Sequence, residues 1–223
     1  MFDAVVRRGS RAVLDLLAPR RCAGCDTDLQ GADLFCAVCE ATVSGEYDAS
    51  PLVDGTRVVA VGAYGGALAQ AVRRLKYEGR TDLAAPLARR LKDRIVAAGL
   101  SSATLVPVPL HAKKLAERGY NQSALVARPL ARELRARSSP RGLVRFRHTA
   151  PQAELGRNER LENVRGAVVA RERFDGRCVV LIDDVVTTGA TALACVEALR
   201  AAGATVAGVG AIARASFFAS RSS

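Results

Sequence analysis

The run Val179-Val180-Leu181-Ile182-Asp183-Asp184-Val185-Val186-Thr187-Thr188-Gly189-Ala190-Thr191 constrains the fold more than any other stretch of the 223 residues. Four consecutive apolar residues read as a strand buried on both faces, and such strands build parallel sheets covered by helices. Two carboxylates follow at the strand's end, then a Thr/Gly turn, then an alanine-rich helix expected from about Thr191 to Ala202. Strand, turn and helix in this order belong to an α/β fold, whose ligands lie beyond the carboxyl ends of the strands.

Asp183 and Asp184 only accept hydrogen bonds, which suits the two free hydroxyls of a ribose. Residues 187–191 wrap the start of the next helix, where free N–H groups and the helix dipole favour a phosphate. Gly189 admits close backbone approach, and Thr187, Thr188 and Thr191 add hydroxyls to the same loop, which also contains Ala190. A lone Asp-Asp pair would signify only a strand–turn–helix with solvated acids. The apolar run, acid pair and threonine loop in register read instead as a site for a phosphorylated sugar. The stretch resembles the phosphoribosyl-pyrophosphate (PRPP) signature of type I phosphoribosyltransferases.

A chain of this length holds one sizeable domain plus a small module. Aromatic residues make up only 4% and Trp is absent, so the core must be built from Ala, Val and Leu. No apolar run is long enough to span a membrane. Phe2 to Leu17 is interrupted by Arg7, Arg8, Arg11 and Asp15. It lacks the apolar core of a signal peptide and reads as an amphipathic helix docked on the domain, in a cytoplasmic protein. The net charge of +11 points to nucleic acid or polyphosphate ligands. Only four of the 33 basic residues are lysines (Lys76, Lys92, Lys113, Lys114), so part of that charge reflects an Ala- and Arg-rich composition.

Cys22-Ala-Gly-Cys25 and Cys36-Ala-Val-Cys39 are two C-x-x-C pairs. Each can present two thiolates, and together they complete a closed, structural four-cysteine zinc site within residues 1–45. Such a metal compensates for a module too small to form its own core. Two disulfides would need an oxidising compartment; a redox motif or an iron–sulfur cluster is the other alternative. Cys178 and Cys195 read as buried small hydrophobes.

The remainder, residues 50–223, reads as one α/β domain. A strand is expected over 58–65 and a helix over about Gly66–Leu75. A basic turn, Lys76-Tyr77-Glu78-Gly79-Arg80, then opens onto a helix over about Leu83–Ala98, with Leu87, Leu91 and Ile95 on its core face. Leu105 to Pro109 is a short strand. A basic, amide-rich loop follows, with His111, Lys113, Lys114, Arg118 and Gly119-Tyr120-Asn121-Gln122, suited to a pyrophosphate or simply solvated. A helix is expected over about Ser123–Arg137, then strands at Leu143–Phe146 and Ala167–Ala170. Between these strands lies a long polar stretch containing His148, which reads as a structural histidine. Long polar loops are usually functional or mobile.

The order of these motifs resembles the ComF family, competence-associated phosphoribosyltransferase-like proteins. The motifs are the four-cysteine module, Lys-Tyr-Glu-Gly-Arg, Pro-Val-Pro-Leu-His, Arg-Gly-Tyr-Asn-Gln, Thr-x-Pro-Gln, Glu-Arg-x-x-Asn-Val-Arg-Gly and the 179–191 signature. The resemblance runs from about Pro19 to Arg214. It implies a type I phosphoribosyltransferase fold, a mainly parallel sheet flanked by helices, with an N-terminal zinc finger. It further implies that Asp183 and Asp184 hold the ribose of PRPP and that 187–191 hold its 5′-phosphate. Val108, Pro109, Leu110 and His111 then form the pyrophosphate loop, and Thr149, Gln152, Arg157, Arg160 and Asn163 lie in a loop that closes over the substrate. With Mg²⁺-PRPP, an unidentified nitrogen acceptor would displace pyrophosphate at C1′, with Arg118 and Arg157 or Arg160 stabilising the departing charge. Thr187 stands where purine-salvage relatives carry a carboxylate for the acceptor base, which argues against purine salvage. The other implied role is non-catalytic: binding of single-stranded DNA, or of competence proteins, during DNA uptake.

Overall fold

The computed structural model describes residues 20–29, 31, 33–146 and 166–215. The expected N-terminal helix, His148 and the closing-loop residues Thr149, Gln152, Arg157, Arg160 and Asn163 lie outside the described residues. In chain order the elements begin with β1 (Arg20–Arg21), β2 (Asp28–Leu29), α1 (Ala37–Glu40), β3 (Val58–Ala63) and α2 (Gly66–Tyr77). A 3-10 turn (Thr81–Leu83) leads into α3 (Ala84–Ala97), β4 (Thr104–Pro107), α4 (Ala112–Arg118) and α5 (Gln122–Leu134). The chain continues through β5 (Leu143–Arg145), β6 (Val168–Ala170), β7 (Cys178–Val186), α6 (Ala190–Ala201) and β8 (Thr205–Arg214).

The central sheet is parallel, in the order β3-β8-β7-β4. Its strands are apolar on both faces because both faces are covered. On one side, Leu68, Leu75, Leu87, Leu91, Ile95, Val126 and Leu130 from α2, α3 and α5 form a core against Val180, Ile182 and Ile212. On the other, α6 packs Cys195, Val196 and Leu199 against Val179, Leu181 and Val209, with Phe174 beneath. The antiparallel pair β5–β6 joins this second core through Leu143 and Val168.

Several elements depart from the sequence expectations for physical reasons. The signature strand runs nine residues, so Asp183 and Asp184 lie inside it rather than at its end. Pairing with β8 holds them there, Asp183 opposite Ala211 and Val185 opposite Ala213. β8 itself gave little sequence signal, being mostly glycine, alanine and valine, yet it lies inside the sheet. Small residues are needed there, since a Cβ on Gly210 would meet Ile95 Cδ1 at 3.0 Å and Ile182 Cδ1 at 3.2 Å. Lys76 and Tyr77 complete the last turn of α2 rather than a turn of their own. Residues 112–118 fold as α4 instead of a loop, with His111 as N-cap and Gly119 closing it at φ +80°. Cys178, expected to be buried, is exposed at the start of β7, whereas Cys195 is buried.

Candidate functional site

The carboxyl ends of β4 and β7 and the N-terminus of α6 enclose a cavity of about 200 Å³. Its lining includes Asp183 and Asp184, residues 187–192, and Val108, Pro109 and Leu110. The sheet sets this proximity: Val108 N–H donates to Ile182 O at 2.8 Å, extending the β4–β7 pairing one residue beyond β4. Asn121 fixes the same loop from the other side. Its Nδ2 donates to Val108 O at 2.9 Å, while its Oδ1 caps α5 by accepting from the N–H groups of Ser123 and Ala124.

The two carboxylates are buried, Asp183 at 7% and Asp184 at 3% exposure. Asp183 Oδ1 accepts from Ser123 Oγ at 3.2 Å and from Asp184 N–H at 2.8 Å. Asp184 Oδ1 accepts from Val185 N–H at 2.7 Å, and Lys76 Nζ lies 2.7 Å from its Oδ2. Burial first, and then the adjacent charge of Asp184, push the Asp183 carboxyl up to about 7 against the opposing pull of Lys76. Burial works against the Lys76 ammonium, but Asp184 and then Asp183 raise its pKa overall. The two neighbouring buried acids thus draw Lys76 into a close ion pair, with Arg145 also lining the cavity.

At the other end of the cavity, Gly189 is the N-cap of α6 at φ +80°. It has no side chain of its own to cap the first turn, whose N–H groups and helix dipole favour an anion. Ala190 N–H reaches Thr188 Oγ1 at 3.3 Å. Glycine is required here on a second count, since a Cβ would sit 2.6 Å from Leu52 Cδ2.

Of the expected site residues, the cavity therefore gathers the acid pair, the threonine loop and 108–110. His111 stands one residue on, its Nδ1 accepting from Lys113 N–H at 3.2 Å. Arg118 is placed in a neighbouring cavity, bonded to Gln122 Oε1 and stacked 5.0 Å from the Tyr77 ring. The cavity also holds Lys114 and Gln122 from the basic loop, and Lys76 and Arg145, to which sequence reasoning gave no role in the site. For Lys76 a signal existed in the Lys-Tyr-Glu-Gly-Arg motif. Arg145 had none, because only the β5–β6 pair brings it to the sheet's carboxyl end. Burial draws its pKa down, opposed by the Cys195 thiol and Asp183.

The four cysteines of the N-terminal module converge, their Sγ atoms all within 4.8 Å of one another. Cys25 Sγ and Cys36 Sγ are 3.6 Å apart. That is far too long for a disulfide and close to the roughly 3.8 Å edge of a tetrahedron with metal–sulfur bonds of about 2.3 Å. Backbone N–H groups of Cys36 and Gly24 point at Cys22 Sγ, at 3.2 and 3.4 Å, as thiolate stabilisation requires. Hydrogen bonds from Thr27 draw the Cys25 thiol down to about 6. These residues could hold a metal ion. A Cβ on Gly24 would meet Cys39 Sγ at 2.6 Å, so the knuckle closes only around glycine.

The module is tied to the same helix that supplies Lys76. Asp26 Oδ1 accepts from Arg74 Nη1 at 2.6 Å and Arg80 Nη1 at 2.8 Å. Glu40 makes a two-pronged pair with Arg90 at 2.8 and 2.5 Å, and Ala23, Leu34 and Phe35 join the α2–α3 core.

Residues 121–216 match the phosphoribosyl transferase domain family. The chain is 36% identical over 140 residues to the DNA utilization protein YhgH of Salmonella typhimurium, covering 60% of this chain and 62% of that protein. It is 29% identical over 178 residues to competence protein F of Haemophilus influenzae, covering 76% of this chain and 74% of that one. The chain is thus similar to competence-associated proteins of the ComF type over most of its length. Its parallel sheet and matched domain give it the phosphoribosyltransferase-type fold that the signature implied. The chain spans 62% of the length of the YhgH proteins it matches. Among solved structures, it has a TM-score of 0.38 to adenine phosphoribosyltransferase of Leishmania donovani, at 20% identity over 60% of this chain and 53% of that one. To the adenine phosphoribosyltransferase of Rhodothermus marinus the TM-score is 0.36, at 17% identity over 61% and 70%. Among the described residues no helix is long and apolar enough to cross a membrane.

Proposed function

We propose that this chain is a ComF-family protein that binds Mg²⁺-PRPP and transfers its phosphoribosyl group to a nitrogen acceptor. The observation that carries the reading is the shared cavity. Asp183 and Asp184 face it from β7, and the uncapped N-terminus of α6 faces it from the phosphate end. In this reading the acid pair accepts the ribose hydroxyls, residues 187–191 hold the 5′-phosphate, and 108–110 with Arg145 meet the pyrophosphate. Mg²⁺ enters as part of the substrate, on the pyrophosphate oxygens, where it neutralises leaving-group charge. The acceptor's nitrogen lone pair forms the bond to C1′ while the C1′–O bond breaks. Pyrophosphate leaves with that electron pair, and the acceptor's proton passes to solvent. Arg118 is assigned a role beside the reacting centre, through Gln122, and not on the phosphates themselves.

The four-cysteine cluster is assigned to structural Zn²⁺ because all four positions are thiolates and none is left open. We assign residues 1–45 to the metal module and 50–223 to the transferase-like domain. A thiolate site of this kind suits the reducing cytoplasm. The test is calorimetric titration of the zinc-loaded protein with Mg²⁺-PRPP, with Asp183→Asn/Asp184→Asn as control. Binding that the double variant loses supports the reading; absence of binding in folded protein refutes it. The names of the relatives and the +11 charge favour a second reading, a single-stranded DNA-binding protein in DNA uptake. It requires an affinity that falls steeply with salt, and a salt-independent or undetectable affinity excludes it.

A further inference from the structure

A second cavity, of about 290 Å³, shares Lys76 and Lys114 as walls with the cavity of the acid pair. Its other side chains are Tyr77, Glu117, Arg118 and Tyr120. Transfer as proposed above gives these aromatic side chains no task.

Three features describe what would fill it. First, it offers a flat face. Tyr77 is 71% exposed in a chain with no Trp, and the Arg118 guanidinium lies 5.0 Å from its ring centre. Gln122 Oε1 accepts a hydrogen bond from the Nη1 of that guanidinium. Tyr120 is fixed by its hydroxyl, which donates to Leu75 O at 2.7 Å. Second, its charge is positive, with three cations against Glu117. Lys76 is engaged by Asp184. Lys114 is not so favoured: burial and the neighbouring Arg145, Arg118 and Lys76 hold its ammonium below the usual range, opposed only by Glu117. An anion placed among them relieves that repulsion. Third, its two shared walls set any occupant beside the residues assigned to the ribose. A bare phosphate would leave the aromatic face unused, and an uncharged ring would leave the cations crowded. A planar ring bearing a negative charge uses both, stacking on Tyr77 and Arg118 and pairing with Lys114.

We propose that this cavity is the acceptor pocket and that the acceptor is a nitrogen heterocycle carrying a ring carboxylate. Its role as acceptor rests on the PRPP reading above. Its ring nitrogen forms the bond to C1′ as the bond to pyrophosphate breaks, and the carboxylate stays on the cationic wall throughout.

The experiment is calorimetric titration of the full-length, zinc-loaded protein with orotate, nicotinate and quinolinate, each with and without Mg²⁺-PRPP. Adenine and hypoxanthine serve as uncharged rings. At least one carboxylated ring should bind and the uncharged rings should not. Tyr77→Ala, at an exposed position, should weaken that binding tenfold or more and leave PRPP affinity within twofold. Arg118→Lys, which keeps the charge and loses the flat guanidinium, should also weaken it. If no carboxylated ring binds, or if one binds Tyr77→Ala as tightly as the parent, the proposal is overturned. If PRPP binds and the rings do not, the acceptor assignment alone fails. If the rings bind and PRPP does not, the acceptor assignment and the transferase reading fail together.

Discussion

Replacing Asp183 with asparagine isolates the energetic conflict at the centre of the site. The native carboxyl is buried beside Asp184 and pushed up from 3.8 to about 7. A group whose pKa is raised on folding contributes stability that is complete below its unfolded value and lost as pH rises through its folded one. From the unfolded to the folded value that amounts to about 4 kcal/mol at roughly 1.36 kcal/mol per pKa unit, of which about 2 kcal/mol disappears between about pH 5.5 and 8.5. The substituted amide does not titrate. Its oxygen can still accept from Ser123 Oγ and the Asp184 N–H, and Lys76 keeps its partner Asp184. Urea unfolding of parent and variant, metal-loaded and without ligand, should therefore diverge with pH. The Asp183→Asn protein should gain about 2 kcal/mol relative to the parent from about pH 5.5 to 8.5, levelling off above about pH 8 only if its neighbours stop titrating there. It should at the same time bind Mg²⁺-PRPP at least tenfold more weakly, because an amide replaces an acceptor-only group. A difference in stability that is flat with pH, or that favours the parent at high pH, would refute the argument that burial and Asp184 dominate this carboxyl. The expected exchange of stability for ligand affinity is typical of binding sites.

Lys76→Met removes the close cation of a carboxylate only 5% exposed and should cost about 3–5 kcal/mol at about pH 8. The loss should shrink at lower pH as the acid pair takes up a proton, which the same urea series reads directly. Gly24→Ala places a methyl 2.6 Å from Cys39 Sγ, so it should lower zinc affinity measured by chelator competition. Retention of parental affinity would show that the knuckle can open. Cys36→Ser should release the metal and, through Asp26 and its two arginines, lower the melting temperature of the whole protein; loss of zinc without any shift would show the module to be uncoupled. Asn121→Ala removes a helix cap and the bond to Val108 O, with an expected cost of about 1–2 kcal/mol in unfolding free energy.

The sequence by itself determined the covered parallel strand, the acid pair, the glycine-led helix start and the cysteine cluster. Each is local: the run from Val179 to Thr191 carries its own periodicity and turn chemistry, and each C-x-x-C pair fixes a knuckle within four residues. It missed β8, because a strand of glycine, alanine and valine has too little side chain to announce itself. Its place inside the sheet emerges only in its parallel pairing with β3 on one side and β7 on the other. Only the tertiary structure decided that Asp183 and Asp184 lie within a strand, buried deeply enough for one to hold its proton near neutral pH. Only it brought Lys76 from α2, Ser123 from α5 and Arg145 from β5 around them. These partners stand from about 40 to 110 positions away in the chain, and no local pattern encodes a distance that the crossovers of a parallel sheet alone close.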